Sequence, residues 1–312
     1  MSPQGEELLV LSANCQGLQN KLKRTDVIDY LGKTNVSIIC LQDTHWTSKD
    51  EPIVRSMWNG DVILNGESSN SRGVAILLNK NFEYSITSVY KDREGNMISL
   101  DLNFIDTSMK LLNLYAPNKD SPDFFEKVKD ILHSNKQTFT MILGDFNLIL
   151  DPLLDCDQYK HLNNPRSRKV VLEIINVFNL LDIFRFHHPS LKRYTWRRKN
   201  PFRQARLDYF LVSSAMQDII TSSSINPGYK SDHSNIQLKI LINKFERGRG
   251  LWKLNCSLLK EQSYLDLVNS VIEEEKFKYS IPVYNLDYIG KIPNNLVTFT
   301  ISDDQFLELV LL

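Results

Sequence analysis

Short apolar runs, separated by polar loops that contain glycine, proline or asparagine, recur along the first 242 residues of the chain. Runs of this length that are rich in β-branched and aromatic residues are typical of strands. The predicted strands are Leu8–Ala13, Val36–Leu41, Val62–Leu64, Val74–Leu78, Tyr84–Tyr90, Ile98–Phe104, Lys110–Tyr115, Phe139–Leu143, Tyr194–Arg197, Leu207–Val212 and Ile236–Ile242. Apolar spacing of the helical type predicts helices at Lys21–Gly32, Pro122–His133 and Ser167–Leu181.

About eleven strands with only three or four helices do not fit a regular alternation of strand and helix. The pattern predicts an α/β protein in which two mixed β-sheets pack face to face with helices outside. We assign residues 1–243 to this single domain. From residue 244 the chain changes to a charged, glycine-bearing stretch, a candidate amphipathic helix at Leu258–Glu275 and apolar segments broken by proline. Residues 244–312 are therefore predicted to be a linker and a partial tail.

Composition narrows the class of protein. A hydrophobic fraction of 42% is enough for a packed core, and a formal net charge of +0 means that bulk charge identifies no partner. The four cysteines are scattered without a CxxC pair, which argues against a disulfide framework or a cysteine metal site. No secretory signal pattern and no apolar run near the roughly 18 residues of a membrane span occur. We expect a monomer of the nucleus and cytoplasm, neither secreted nor membrane-bound.

The stretch from Phe139 to Asn147 is the most informative one for chemistry. An apolar run ends at Gly144, and an acid and an amide follow two residues apart, at Asp145 and Asn147. If the strand stays extended through Asn147, the two side chains share one face. A carboxylate that can take a proton, beside an amide that can orient an oxyanion, suits attack on a phosphate ester. Taken alone, the stretch is equally compatible with a Gly-Asp turn after an ordinary strand.

Other polar residues also lie at the ends of predicted strands. A single residue of this kind is more often a turn former or a cap than a catalytic group. The set becomes specific only through its order along the chain. Its members are Asn14, Gln42, Asp43, His45, Tyr115, Asn118, Asp145, Asn147, Asp208, Asp232 and His233.

In order and spacing this set resembles the endonuclease/exonuclease/phosphatase superfamily, which includes exonuclease III, apurinic endonucleases and pancreatic deoxyribonuclease. The resemblance covers about residues 7–243. The matching stretches are Asn14, Leu41–His45, Asn113–Pro117, Gly144–Asn147, Arg206–Tyr209 and Ser231–Ser234. Within the superfamily, the chain is most similar to the endonuclease domain of LINE-type non-LTR retrotransposon proteins. That finer similarity rests on Gln42–His45, Tyr194–Trp196 and Leu251–Asn255.

The resemblance implies a four-layered α/β sandwich that hydrolyses phosphodiester bonds of double-stranded DNA with Mg²⁺, for which Mn²⁺ can substitute. Mg²⁺ keeps several waters and needs only one or two carboxylates. Asp43 takes the position of the principal metal ligand, with Asn14 and Asp232 or Asp208 nearby. The family has glutamate at this position. Aspartate is shorter by roughly 1–1.5 Å, and a misplacement of about 1 Å can cost on the order of 10²-fold in rate.

The resemblance also implies the catalytic roles. Asp145 positions or deprotonates the attacking water. His233, held by Asp232, donates to a phosphate oxygen, and the adjacent carboxylate of Asp232 favours the charged form of His233. Asn147 and Tyr115 complete the donors around the developing charge, and Asp208 belongs to the same group of residues.

A cluster of cations predicts where DNA binds. Seven cations and no acid occur between Lys192 and Arg206, with aromatic residues interleaved. A solvated charged hairpin is one interpretation, and a loop that contacts phosphates is the other. We favour the second and predict that the hairpin enters a groove of DNA. The DNA-binding residues predicted are Arg193, Thr195, Arg197, Arg198, Arg203 and Arg206.

The sequence leaves three functions open. The first is a DNA-nicking endonuclease derived from a non-LTR element. The second is an apurinic endonuclease or 3′-exonuclease that uses the same residues. The third, motivated by Asp43, is a DNA-binding module with impaired catalysis. The stretch Ile301–Phe306 resembles the lead toward a reverse transcriptase, but no polymerase signature follows it, so we expect that domain in a parent polyprotein.

Overall fold

The computed structural model describes residues 7–67, 72–104, 107–134, 139–159 and 162–242, together with residues 262, 263, 265, 266, 269 and 270. Contacts between Cα atoms group the chain into two units, Met1–Glu246 and Arg247–Leu312. The six described residues of the second unit are helical and fall within the predicted helix Leu258–Glu275. The charged stretch 244–250 and most of the tail lie outside the described residues, so the domain boundary at residue 243 stays a prediction.

The first unit contains fifteen strands and five α-helices in its described part. The strands are β1 (Glu7–Asn14), β2 (Ile38–Gln42), β3 (Gly60–Asn65), β4 (Val74–Asn79), β5 (Ser85–Lys91), β6 (Met97–Phe104), β7 (Thr107–Tyr115), β8 (Phe139–Asp145), β9 (Cys156–Asp157), β10 (Leu180–Asp182), β11 (Trp196–Arg198), β12 (Arg203–Ala205), β13 (Asp208–Ser213), β14 (Ile220–Asn226) and β15 (Asn235–Leu241). The helices are α1 (Lys21–Gly32), α2 (Glu51–Met57), α3 (Pro122–Ser134), α4 (Pro165–Val177) and α5 (Ile183–His187). Among the described helices, none combines the length and apolarity needed to cross a membrane.

Two six-stranded mixed sheets form the centre of the fold. Sheet A has the order β14-β15-β1-β2-β4-β3, and sheet B has the order β10-β13-β8-β7-β6-β5. Within them, β1 pairs parallel to β2 and β7 pairs parallel to β8, whereas the other pairs are antiparallel. A small sheet of β11, β12 and β9 stands apart from them. Because parallel strands end at a common edge, each large sheet brings two strand ends to the same rim.

The period-two pattern of the strands builds the layers. In β1, Leu8 and Val10 lie in the core between the sheets, whereas Leu9 and Leu11 face the opposite way. That outer face of sheet A packs against α1 and α2, and the outer face of sheet B packs against α3 and α4. Strands that are buried on both faces are expected to have continuous apolar sequences, and the strands of this kind in the two sheets do. The predicted α/β sandwich of two mixed sheets with helices outside is therefore confirmed.

Several short elements were not predicted. The missed strands are β9, β10, β12 and β14, and the missed helices are α2 and α5. The helix predicted at Ser167–Leu181 instead begins at Pro165 and ends at Val177, and Leu180 then starts β10. β14 is rich in serine, which hides its alternation, and the other missed elements are two to seven residues long. Elements of that length leave too few positions for a periodic signal.

A buried ionic cluster joins the small sheet to sheet B. The guanidinium of Arg206 donates from Nε and Nη2 to the two carboxylate oxygens of Asp155, both at 2.8 Å, and from Nη1 to Asp182 at 2.9 Å. Arg185 donates to the same Asp155 at 2.6 Å. Arg206 is 1% exposed and Asp155 is fully buried. Bidentate, charge-assisted bonds of this kind fix geometry as well as contributing energy.

The substitution Asp155→Asn is expected to lower the free energy of unfolding by about 3–5 kcal/mol, because it removes the counter-charge shared by the buried guanidinium of Arg206 and the partly buried one of Arg185. Urea denaturation measures this loss. The matched control is Glu51→Gln, which breaks the helical pair with Arg55 at the surface and should cost below about 0.5 kcal/mol. Equal effects of the two substitutions would contradict a structural role for the cluster.

Candidate active site

The ends of five strands meet at one rim between the two large sheets. Asn14 is the last residue of β1, and Tyr115 and Asp145 are the last residues of the parallel strands β7 and β8. Asp208 begins β13 and lies directly opposite Asp145, because β13 runs antiparallel to β8. Asp43 follows the end of β2. A single cleft is lined by Asn14, Asp43, Tyr115, Asp145, Asn147, Asp232 and His233.

The backbone turns sharply at the predicted strand exit. Gly144 has a φ of 128°, and a Cβ there would overlap the carbonyl oxygen of Leu114, so this position requires glycine. The strand ends at Asp145 instead of extending through Asn147, whose φ of 49° is left-handed. The expectation of a shared strand face is thus wrong. A bond of 2.9 Å from the Asn147 N–H to Asp145 Oδ1 keeps the two residues together instead.

Asp145 lies in a buried hydrogen-bond network. Its Oδ2 accepts from Asn14 Nδ2 at 2.9 Å and lies 3.8 Å from His233 Nε2. His233 Nδ1 is bonded to Asp208 Oδ2 at 2.9 Å. The prediction that Asp232 holds His233 is therefore wrong. The carboxylate of Asp232 accepts from the indole Nε1–H of Trp196 at 3.1 Å.

Burial and charge shift the pKa values of this network. Burial and the negative charge of Asp208 raise the pKa of Asp145, and the positive charge of His233 opposes them. Burial alone would lower the pKa of His233, but the carboxylates of Asp208 and Asp145 raise it to about 9. His233 is therefore an imidazolium at neutral pH, with Nε2–H available as a donor. Burial and four surrounding carboxylates also raise the pKa of Tyr115, whose hydroxyl keeps its proton.

The cleft suits a hard divalent cation. Four aspartates, at 43, 145, 208 and 232, act electrostatically on Tyr115, and all of them except Asp208 line the cleft. Oδ1 of Asp43 accepts the Arg72 N–H at 3.2 Å and lies 3.1 Å from His45 Nε2. Its Oδ2 has no hydrogen bond among the described residues, which leaves that oxygen available to a cation.

Asp145, Asp208 and His233 form a second candidate metal group, because their ligand atoms all lie within 4.8 Å of one another. A metal ion can be bound only by a neutral imidazole. With its pKa raised to about 9, His233 is protonated at neutral pH. A metal ion at this trio would therefore have to displace the proton of His233, whereas Oδ2 of Asp43 offers a hard oxygen ligand without that step.

Two DNA-binding predictions need correction. Thr195 is fully buried, and its Oγ1 accepts from the backbone N–H groups of Leu207 at 3.0 Å and Asp208 at 3.2 Å. Arg206 is enclosed in the ionic cluster described above. Neither side chain is accessible to a phosphate, because each is used to hold the base of the hairpin. Of the other predicted cations, Arg193, Arg197 and Arg198 are exposed and Arg203 is half-buried.

Two residues of the site were not predicted. Trp196 bonds Asp232 and forms an isolated bridge with His233, so the hairpin contacts the site directly. Ser231 Oγ donates to the Asn14 carbonyl at 2.8 Å and accepts from the His233 N–H at 3.2 Å. Both belonged to stretches that the sequence singled out, Tyr194–Trp196 and Ser231–Ser234. Their roles depend on partners more than 30 residues away or on backbone contacts, which no local pattern reveals.

The sequence pattern of one protein family, described as the endonuclease/exonuclease/phosphatase family, matches residues 11–233. The chain belongs to this family. Its members are hydrolytic nucleases and phosphatases that depend on divalent metal ions. The rim residues described above, from Asn14 to His233, fall within the matched range.

A relative described as the transposon TX1 uncharacterized 149 kDa protein of Xenopus laevis is 27% identical over 262 residues, 82% of this chain. The present chain spans only 20% of the length of that relative. The exodeoxyribonuclease of Bacillus subtilis is 23% identical over 259 residues, which cover 75% of this chain and 99% of the enzyme. The first similarity supports the resemblance to retrotransposon proteins.

Solved structures of the family have the same fold. The AP endonuclease of Leishmania major superposes with a TM-score of 0.64 at 17% identity and covers 77% of this chain and 89% of its own. The 3′-phosphatase NExo from Neisseria, solved as a variant bound to product DNA hairpin, superposes with a TM-score of 0.59 at 19% identity. The match covers 75% of this chain and 99% of NExo. At these identities the likeness establishes the four-layered sandwich and not the substrate.

The substitution Asp208→Asn is expected to lower the pKa of His233 from about 9 toward the ordinary value of 6.5, because it removes the strongest of the three carboxylates that raise it, the other two being Asp145 and Asp232. An NMR titration of the imidazole C–H signals in EDTA measures the shift. Asp26→Asn, which removes a surface carboxylate paired with Lys230, is the control and should leave His233 unchanged. A titration of Asp208→Asn identical to that of the wild type would contradict the assigned pair.

Proposed function

We propose that this chain is a Mg²⁺-dependent endonuclease that nicks double-stranded DNA. The observation that carries the proposal is that Asp43, Asp145 and His233 line one cleft, with His233 bonded from behind by Asp208. Oδ2 of Asp43 has no hydrogen bond among the described residues. Family membership supports hydrolysis of a phosphate ester, and similarity to a TX1 transposon protein supports an origin in a retrotransposon. A reverse transcriptase elsewhere in a parent polyprotein, and a nuclear and cytoplasmic location, belong to the same proposal.

The residues of the cleft divide the chemistry among them. Asp145, whose pKa is raised, accepts a proton from the attacking water, and Asn14 and the Asn147 N–H fix its carboxylate. His233, held by Asp208, donates from Nε2 to a non-bridging phosphate oxygen, and Tyr115 donates its hydroxyl to the same developing charge. Asp43, with Asn14 and Asp232 nearby, would hold Mg²⁺ or Mn²⁺. The bound ion supplies charge neutralisation at the phosphate and the leaving oxygen.

The exposed cations of the hairpin support DNA as the substrate. Arg197 and Arg198 lie on β11, one and two residues after Trp196, which contacts the site. Arg203 lies over the ring of Tyr159, another residue of the cleft. Cations at this position would neutralise phosphates beside the scissile bond and hold the duplex in register.

The second candidate function is that of an apurinic endonuclease or a 3′-acting nuclease. The near-complete coverage of the Bacillus subtilis exodeoxyribonuclease favours it. A comparison of intact supercoiled plasmid with an abasic oligonucleotide and with recessed 3′ ends separates the two functions. Preferential nicking of the intact plasmid supports the first proposal, whereas cleavage confined to abasic or terminal sites supports the second.

Asp145→Asn is expected to reduce Mg²⁺-dependent plasmid nicking by about 10²–10⁴-fold, because it removes the group that accepts the proton. Conversion of supercoiled to open-circular plasmid measures the rate. Asp218→Asn removes an exposed aspartate outside the cleft and should nick at the wild-type rate. A wild-type chain that binds DNA but nicks no faster than Asp145→Asn would instead establish the third function, a DNA-binding module.

Asp43→Glu is expected to bind Mg²⁺ more tightly and to nick faster, by up to about 10²-fold, because the longer side chain carries the carboxylate further into the cleft. Calorimetry measures the affinity and plasmid nicking measures the rate. Asp43 has a φ of 51°, a region that aspartate tolerates better than glutamate, so thermal melting of the variant checks that the loop survives. Equally tight Mg²⁺ binding and equally fast nicking by the wild type and Asp43→Glu would contradict the expectation that the shorter aspartate weakens metal binding.

A further inference from the structure

A second cleft, called here the outer cleft, opens beside the active-site cleft. Its polar lining consists of Asp43, Arg72, Asn96, Tyr115, Asn118 and Lys119. Asp43, Tyr115 and Asn118 also line the active-site cleft. The two clefts therefore form one continuous groove. The basic hairpin contacts one end of this groove through Trp196, and two cations line the other end.

The two cations of the outer cleft are free to bind an anion. Arg72 lies 3.6 Å from Glu94, in an ion pair whose two side chains are each 51% exposed. Such an exposed pair is weak and can be exchanged for a better partner. Lys119 is exposed, and no carboxylate of another described residue lies within 4.0 Å of its ammonium group. The outer cleft thus has two available positive charges and one carboxylate, that of Asp43.

Backbone bonds fix Arg72 relative to the site. Its N–H donates to Asp43 Oδ1 at 3.2 Å, and its carbonyl accepts from the His45 N–H at 2.7 Å. The next residue, Gly73, accepts from the Thr44 N–H at 3.0 Å. The loop that carries Asp43 therefore determines where the side chain of Arg72 begins. A ligand that contacts Arg72 is held at a set distance from the scissile position.

We propose that Arg72 and Lys119 bind a backbone phosphate of the DNA strand next to the scissile one, on the side opposite the hairpin. The inference rests on the proposed function, because it takes DNA as the substrate. One strand of a duplex carries a phosphate for about every 3.4 Å along the axis, so a strand that crosses the groove places phosphates at both ends. The guanidinium fork of Arg72 matches a phosphate, and Lys119 adds a point charge.

Salt dependence of DNA binding tests this subsite in the full 312-residue chain. Binding of a fluorescent duplex is measured by anisotropy in EDTA, so that no cleavage occurs. Arg72→Gln and Lys119→Gln should each weaken binding to a similar extent for different sequences. Each should also reduce the slope of log affinity against log salt by about 1. Arg197→Ala/Arg198→Ala gives the reference effect of the hairpin.

A matched control and an opposite variant sharpen the test. Lys80→Gln removes an exposed cation at the far end of β4, the strand that begins two residues after Arg72, and should leave the slope unchanged. Glu94→Gln should raise the affinity, because it removes the carboxylate that pairs with Arg72 and with the exposed Lys127, and Glu94→Gln/Lys127→Gln keeps the release of Arg72 alone. A wild-type slope in both Arg72→Gln and Lys119→Gln, with a reduced slope in the hairpin variant, would overturn the proposal.

Plasmid nicking and DNA binding together distinguish a wrong phosphate subsite from a wrong proposed function. If the Arg72 and Lys119 variants bind as the wild type does while the wild type still nicks plasmid, the subsite is wrong and the proposed function stands. If the wild type nicks no faster than Asp145→Asn, yet the salt slope is reduced in both variants, the phosphate subsite is supported and the protein only binds DNA. A wild type without affinity for DNA overturns both.

Discussion

The antiparallel pairing of β13 with β8 places the carboxylates of Asp208 and Asp145 opposite each other in a buried position. Like charges at such a pair repel strongly where water is excluded. The imidazolium of His233, bonded to Asp208 and 3.8 Å from Asp145, compensates for that repulsion. The rest of the rim depends on this arrangement, because it determines where the imidazolium of His233 presents its Nε2–H to the cleft.

The surrounding structure holds this trio from two sides. On one side Ser231 links the backbone of His233 to the end of β1 at Asn14. On the other side Thr195 accepts the N–H of Asp208 and, through its carbonyl, the N–H of Ser234 at 2.6 Å. The base of the basic hairpin is therefore part of the support of Asp208 and His233. A displacement of the hairpin would be transmitted to Asp208 and His233 through these hydrogen bonds.

Sequence reasoning recovered the sandwich and the rim because both follow from local rules. Apolar runs predicted the long strands, and strand ends located Asn14, Tyr115 and Asp145. The partner of His233 was mistaken because proximity in the chain suggested Asp232, whereas the actual partner, Asp208, is brought in by strand pairing. Arg206 appeared to be one more cation of a basic run. Its burial depends on acids contributed by distant segments, at Asp155 and Asp182, which charge counting along the chain cannot reveal.

The loop after β2 positions both Asp43 and Arg72. It holds Asp43 and His45 in left-handed conformations, with φ of 51° and 59°, and it binds one oxygen of Asp43 to the N–H of Arg72. Because Oδ1 is fixed in this way, Oδ2 is the oxygen of Asp43 that can reach a cation. The side chain of Asp43 is therefore oriented suitably although it is shorter than glutamate. The same bond fixes Arg72 at the start of the outer cleft. One loop therefore fixes both the carboxylate of Asp43 and the start of the Arg72 side chain, so under the proposed function the reach of the metal ligand and the path of the DNA strand are linked.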